Sequence, residues 1–375
     1  MKAAVCCEFN KPLVIEEVTL EPPGEGEVKI RVAATSICHS DIHSIRGEHG
    51  TPELPAVGGH EVAGYVEEVG EGITYVKPGD HVIVALGAIG CGQCFYCTIG
   101  FPSACEGRRP HQPPIRRGPF RGISAPGRYF NRQGKRLIQF AAGVAGFVEY
   151  TVVSENRLVK IPDEMPFDKA APLACGVITG YGAVVNLAQV KPLSSVVVVG
   201  CGGVGLNAIQ GARLSGAYPI IGVDVLDNKL EVARAFGATH TINTNKVKEP
   251  IEAAWKITSG RGADYVFVAV GGVDILRQAF MMSGFRGMTV IIGHEGEETL
   301  SAFQPTDLFG PRFLTGGGGN SRIRVDIPRL IDFYMVGRLK LDELITGHYP
   351  LERINEAIES HLRGEALRNV IMFEN

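Results

Sequence analysis

Four cysteines carry the most specific chemical signal in the chain: Cys91-Gly92-Gln93-Cys94-Phe95-Tyr96-Cys97, followed by Cys105. Steps of three, three and eight residues let two Cys-x-x-C turns share Cys94 and let the chain loop back with a fourth thiolate. Four thiolates at ~2.3 Å close a tetrahedron around Zn2+ and leave no position for a substrate, so a zinc ion held there is structural. An iron–sulfur cluster and a pair of disulfides are the alternatives. Metal binding would also supply folding free energy to a lobe with little core of its own.

A second signal is Val196-Val197-Val198-Val199 running into Gly200-Cys201-Gly202-Gly203-Val204-Gly205. G-x-G-x-x-G is weak alone, but a β-branched strand before it and a helical stretch after it make it a dinucleotide fingerprint. Gly200 permits the tight turn, Gly202 lets backbone approach a diphosphate, and Gly205 allows close helix–strand packing. Gly203 and Val204 begin the helix whose free N–H groups and dipole favour anions. Asp224 ends the next strand, 19 residues after Gly205. A carboxylate there accepts from ribose hydroxyls and repels a 2′-phosphate, which favours NAD over NADP, and Lys229 offers a second ribose contact.

The elements that position these residues follow from the hydrophobic pattern. Up to about residue 175 the chain reads as short strands (Val28–Ala33, Val62–Val69, His81–Leu86) with Gly and Pro between them. From residue 195 strands alternate with helices: Ser195–Val199, Val204–Ser215, Ile220–Asp224, Asn228–Phe236, Thr239–Ile242, Pro250–Thr258, Tyr265–Val270, Asp274–Ser283 and Met288–Gly293. That alternation implies βαβ units and a doubly wound parallel sheet. The glycine run Gly316–Gly319 reads as a loop or domain return. Ile327–Val336 and Ile354–His361 read as helices, and Val370–Phe373 as a strand returning to the first domain.

The 375 residues suit about two domains. With 45% apolar and 21% charged residues the composition is that of a soluble globular protein, and a net charge of −3 argues against a nucleic-acid or membrane partner. No apolar run approaches the ~20 residues of a membrane span, and the N-terminus lacks a signal-type apolar region. The expected location is cytoplasmic, where clustered cysteines are metal ligands or catalytic thiols. Cys6 and Cys7 are expected as buried thiols of the opening strand, and Cys201 has no assigned chemistry.

Three further fragments are weak alone: Cys38-His39-Ser40-Asp41-Ile42-His43, Gly59-His60-Glu61 and Ala174-Cys175-Gly176. Combined in this order with the cysteine lobe and the coenzyme motif, they resemble the zinc-containing medium-chain alcohol dehydrogenases along essentially the whole chain. The resemblance implies an α/β protein: a β-rich GroES-like catalytic domain (1–177 and 320–375, with the zinc lobe at about 88–110) plus a Rossmann domain (178–319). It implies two Zn2+ per chain and NAD. Cys38, His60 and Cys175 would hold the catalytic zinc and leave its fourth position open. Asp41 would orient His60, and Glu61 would lie behind the metal as an alternative ligand. Ser40 would take the alcohol proton and pass it through the nicotinamide ribose to His43.

By the same resemblance His39 and Arg368 would reach the coenzyme diphosphate, and His294 would lie near the nicotinamide. Because imidazole is charged only at lower pH, NAD affinity would weaken above about pH 7. Gly87 and Ala141, small where relatives carry bulky residues, suggest a roomier cleft. Residues 107–148 hold nine Lys or Arg and no Asp or Glu. That stretch reads either as a solvated loop or subunit contact, or as a funnel for an anionic substrate such as a thiol–formaldehyde adduct or thioester.

The leading expectation is hydride transfer between NAD and a primary or secondary alcohol, or its carbonyl, in a homodimer or homotetramer. An aldehyde reductase working in the opposite direction fits equally. A zinc-ribbon nucleic-acid module and a catalytically dead binding protein are the readings from other classes. The Rossmann half and the net charge oppose the first, and the intact ligand and relay residues oppose the second. Zinc-free quinone reductases of this fold lack the ligands at Cys38 and Cys175.

Overall fold

A computed structural model describes residues 1–48, 53–87, 89–106, 125–140, 143–293 and 313–374. The chain divides into two units: 1–175 with 322–336 and 341–375, and 176–321 with 337–340.

The first unit combines a closed five-stranded barrel with a seven-stranded sheet. Lys2–Cys6, Val14–Leu20, Ala125–Asn131, Arg136–Gln139 and Ala56–Val57 form the barrel. The central strand of the sheet, Glu27–Ser36, alternates burial over its first half and is wholly buried over its second. The change marks where one face stops meeting solvent. Glu61–Val69 pairs along one side of it, and Arg368–Met372 pairs antiparallel on the other, with Val370 opposite Ser36. The C-terminal strand thus returns to the first domain, as its sequence suggested. Val28, Ile30, Val32, Val62, Val66, Val82 and Val84 share a buried core beneath the sheet. Each such side chain contributes about 1.5–3 kcal/mol relative to exposure.

The second unit is a six-stranded parallel sheet in the order His240–Asn243, Ile220–Asp224, Val196–Val199, Ala263–Val268, Ser283–Ile291, Phe313–Gly316. This is the strand order of a dinucleotide-binding sheet. The strand and helix predictions hold to within a few residues, except that Ser283–Ile291 begins five residues before its expected start at Met288.

Two features differ from expectation. Gly316 closes the edge strand, and only the glycines after it turn. An added Cβ on Gly319 would meet the Thr179 carbonyl at 2.8 Å, so bare backbone is needed where the chain crosses the helix Gly176–Gly182. That helix was missed because its glycines read as breakers. A Cβ on Gly180 would meet Val204 O at 2.3 Å, so the glycines serve helix–helix contact.

Candidate metal centres and coenzyme site

Cys38, His60, Glu61 and Cys175 are brought together in the first unit, their ligand atoms all within 4.8 Å of one another. Bonds of ~2.0–2.3 Å to one zinc place ligand atoms about 3.5–3.8 Å apart, so the group suits a single ion. Cys38 caps the helix His39–Ile45. Asp41, in that helix, is buried and accepts three N–H groups: Cys38 N at 3.1 Å, Gly59 N at 3.2 Å and His60 Nδ1 at 2.7 Å. With Nδ1 donating to Asp41, the neutral ring carries its lone pair on Nε2, the atom a metal would take.

That Nε2 is buried and has no hydrogen-bond partner. An orphaned buried acceptor costs about 1–3 kcal/mol unless a ligand takes it, and a metal ion would. Gly59 reaches φ +90°, and a Cβ there would sit 2.7 Å from Phe147 N, so only glycine delivers His60 to this place. Cys175 is the partly exposed member of an otherwise buried group.

The electrostatics are those of a metal pocket. A hydrogen bond from Cys175 holds the Cys38 thiol well below its usual value, and the shared proton pushes Cys175 well above. Burial pushes the Glu61 carboxyl up to about 7 despite the Arg368 guanidinium beside it. Arg368 Nη1 donates to Glu61 Oε2 at 3.3 Å and to the Ile37 carbonyl at 3.1 Å. Arg368 was expected at the coenzyme diphosphate. It is buried beside Glu61, where the antiparallel register of its strand with Glu27–Ser36 places it.

Around this group the predicted relay residues are adjacent. Cys38 Sγ lies 3.9 Å from Ser40 Oγ. The His43 ring meets His39 edge-on at 4.8 Å, and its Nδ1 pairs with Glu48 Oε2, a partner the sequence reading did not include. Crowding by neighbours and the His43 charge lower the His39 pKa, although the ring keeps an exposed edge. Charge on His39 is therefore confined to more acidic solution than expected from an ordinary imidazole.

In the lobe, the sulfurs of Cys91, Cys94, Cys97 and Cys105 also lie within 4.8 Å of one another, and none of the four is in a disulfide. Cys91 N donates to Cys105 Sγ at 3.2 Å, Cys94 N to Cys91 Sγ at 3.4 Å and Cys97 N to Cys94 Sγ at 3.5 Å. Backbone N–H groups aimed at sulfur favour the thiolates, and they lower Cys91 and Cys94. Burial pushes Cys97 up to about 11. Convergence of four sulfurs on one centre, rather than in pairs, is the arrangement of a closed metal shell.

In the second unit Gly200 takes φ +90°, and a Cβ on Gly205 would strike Gly200 O at 1.8 Å. Gly202 differs: a Cβ there meets nothing within 4 Å. The protein's own packing does not demand Gly202, so the space beside it suits an incoming diphosphate at the N-terminus of the helix Gly203–Leu214. Asp224 accepts from Cys201 N and Val225 N, each at 2.8 Å, which fixes its carboxylate at the strand end. Lys229 lies near the start of the helix that follows, Asp227–Phe236. Cys201 itself is buried under the turn, whereas Cys7, expected to be buried, is exposed beside Glu16.

His294, Ala141 and residues 107–124 lie outside the described residues. At Gly87 a Cβ would lie 2.9 Å from Ile323 Cγ2. Three of the four described basic residues of that stretch are ion-paired: Arg128, Arg132 and Arg136 pair with Glu27, Glu17 and Glu21, while Lys135 Nζ donates to the Leu54 carbonyl.

With this geometry in place, comparison with known proteins assigns the class. A family model described as the alcohol dehydrogenase GroES-like domain matches residues 24–163, and one described as zinc-binding dehydrogenase matches 203–333. The chain belongs to the zinc-containing medium-chain alcohol dehydrogenases, an oxidoreductase family that uses Zn2+ and NAD. It is 36% identical to alcohol dehydrogenase 1 of Pisum sativum over 100% of this chain and 97% of the pea protein. It is 37% identical to S-(hydroxymethyl)glutathione dehydrogenase of Paracoccus denitrificans over 99% of both. Benzyl alcohol dehydrogenase of Acinetobacter calcoaceticus superposes with a TM-score of 0.88 at 31% identity, covering 100% of this chain and 99% of that one.

Proposed function

We propose that this enzyme interconverts uncharged primary or secondary alcohols and their carbonyls with NAD, using Cys38, His60 and Cys175 as catalytic zinc ligands. Cys91, Cys94, Cys97 and Cys105 hold the structural zinc. The observation that carries the reading is the orphaned His60 Nε2 facing two thiols in a pocket where Asp41 has fixed the ring. When bound there, Zn2+ supplies Lewis acidity that lowers the pKa of an alcohol hydroxyl.

The rest is done by the chain. Asp41 holds His60 in the ligating tautomer. Ser40 would receive the hydroxyl proton, and His43 would release it to water. Arg368 holds Glu61, which remains in reach as an alternative ligand during metal exchange. Gly200, Gly202, Gly203, Val204 and Gly205 seat the diphosphate, and Asp224 and Lys229 the ribose. The same reading takes 1–177 with 320–375 as the catalytic domain and 178–319 as the coenzyme domain. It treats the enzyme as a cytoplasmic homodimer or homotetramer. Half-exposed Phe313 and Leu314 on the sheet edge are apolar surface that a second copy would cover.

Pairing of Arg128, Arg132 and Arg136 with glutamates favours uncharged alcohols over an anionic adduct. The test is NADH formation with ethanol, 2-propanol, benzyl alcohol and S-(hydroxymethyl)glutathione, with zinc measured on the same sample. Turnover of the uncharged alcohols, at a kcat/KM above that for the adduct, is expected. Preference for the adduct overturns the substrate assignment, and Cys175→Ser retaining both zinc and activity overturns the ligand set.

A further inference from the structure

The helix His39–Ile45 ends in a way that sets a carboxylate against His43. Arg46 is the C-cap and Gly47 takes φ +73°. The amide of Gly47 donates to the Ser44 carbonyl at 3.1 Å, and that of Glu48 to the His43 carbonyl at 2.9 Å. This is the Schellman arrangement, which folds the second residue beyond the cap back onto the third residue from the helix end. An apolar contact usually joins those two positions. Here they are Glu48 and His43, and Glu48 Oε2 accepts from His43 Nδ1.

A carboxylate at a helix C-terminus opposes the helix dipole, so helix stability does not account for Glu48. Arg46 also lies beside it, with Nη1 3.9 Å from Oε1. The His39 ring packs on His43, and the His361 ring, from the helix Ile354–Leu362, lies 5.5 Å from His39.

We infer that Glu48 is a positioning residue for proton release: by accepting the Nδ1 proton it holds His43 in the tautomer whose Nε2 can take a proton. The inference rests on the His43 relay proposed above. The alcohol hydroxyl proton reaches Nε2, where an N–H bond forms and the imidazolium faces the ionised Glu48. The carbinol hydrogen leaves with its electron pair for NAD, which is reduced as the alcohol is oxidised to the carbonyl. The Nε2 proton then passes to water. Glu48 stays ionised throughout and the Nδ1 proton does not leave, the role of the carboxylate behind a catalytic histidine.

The experiment follows proton release by indicator-dye stopped flow during benzyl alcohol oxidation with NAD. Zinc content and circular dichroism are recorded for every variant. Glu48→Ala and His43→Gln are each expected to slow proton release and kcat by about tenfold or more, with KM and zinc unchanged. Glu48→Asp, which keeps the carboxylate, recovers part of the loss, and added imidazole buffer restores both slow variants. If His43→Gln releases protons at the parental rate, the relay itself fails and takes this inference with it. If His43→Gln is slow while Glu48→Ala matches the parent, the relay stands and only the role of Glu48 is overturned. Imidazole rescue of His43→Gln but not of Glu48→Ala also overturns it, because the carboxylate would then act through folding alone.

Discussion

Asp41 shows how much one side chain decides. It accepts N–H groups from Cys38, Gly59 and His60, and so joins the helix that begins at Cys38 to the turn that delivers the imidazole. Replacement by Asn leaves one acceptor oxygen and turns an amide NH2 toward N–H donors, which cannot all be satisfied. Asp41→Asn should weaken zinc binding at Cys38, His60 and Cys175 by about 10–100-fold. Dialysis against a chelator should then strip one zinc per chain from the variant faster than from the parent, while the four-cysteine equivalent stays. Equal retention in both proteins would refute a positioning role for Asp41. Cys38, His60 and Asp41 were all legible in the sequence. Glu48 left a fainter trace, a glycine one residue past a helix end, and its partner depends on how that end is capped.

At the scale of an element, the coenzyme turn separates two demands that one motif conceals. Gly205 answers to packing, since a side chain there would collide with the Gly200 carbonyl. Gly202 answers to no neighbour within the protein. Gly205→Ala should therefore lower Tm and abolish NADH binding together. Gly202→Val should leave Tm close to the parent and weaken NADH binding at least about tenfold, because its side chain projects where the diphosphate must approach. Fluorescence titration with NADH and thermal melts on both variants check this. A strong loss of Tm in Gly202→Val would show that the glycine serves the fold instead. Helices missed at this scale, such as Gly176–Gly182, were hidden because glycine reads as a breaker until a second helix is found against it.

For the molecule as a whole, the first unit is assembled from both ends of the chain. Asp168 lies just upstream of the segment leading to Cys175, and it pairs with Lys169 at 2.8 Å and with His348, from Ile345–Pro350, at 2.9 Å. Burial opposes its charge, but these partners outweigh burial and hold the carboxyl below the usual range. A depressed carboxylate contributes stability above its unfolded pKa of about 3.9 and loses it as pH falls through the folded value. Asp168→Asn should thus melt about 2 °C lower than the parent at pH 7, with the difference shrinking below about pH 4. A difference that persists undiminished in acid would assign the effect to packing rather than charge.

The sequence by itself determined what is local or periodic. The sulfur spacing of the lobe, the strand–glycine–helix motif and the alternation of the parallel sheet each depend on residues a few positions apart, where the geometry of one helix or turn suffices. Tertiary structure alone decided which distant residues meet. Cys175 joins His60, Arg368 lies against Glu61, and Ile323 comes up beside Gly87. Those contacts depend on strand register and on where the chain returns, and no spacing within a segment encodes either one.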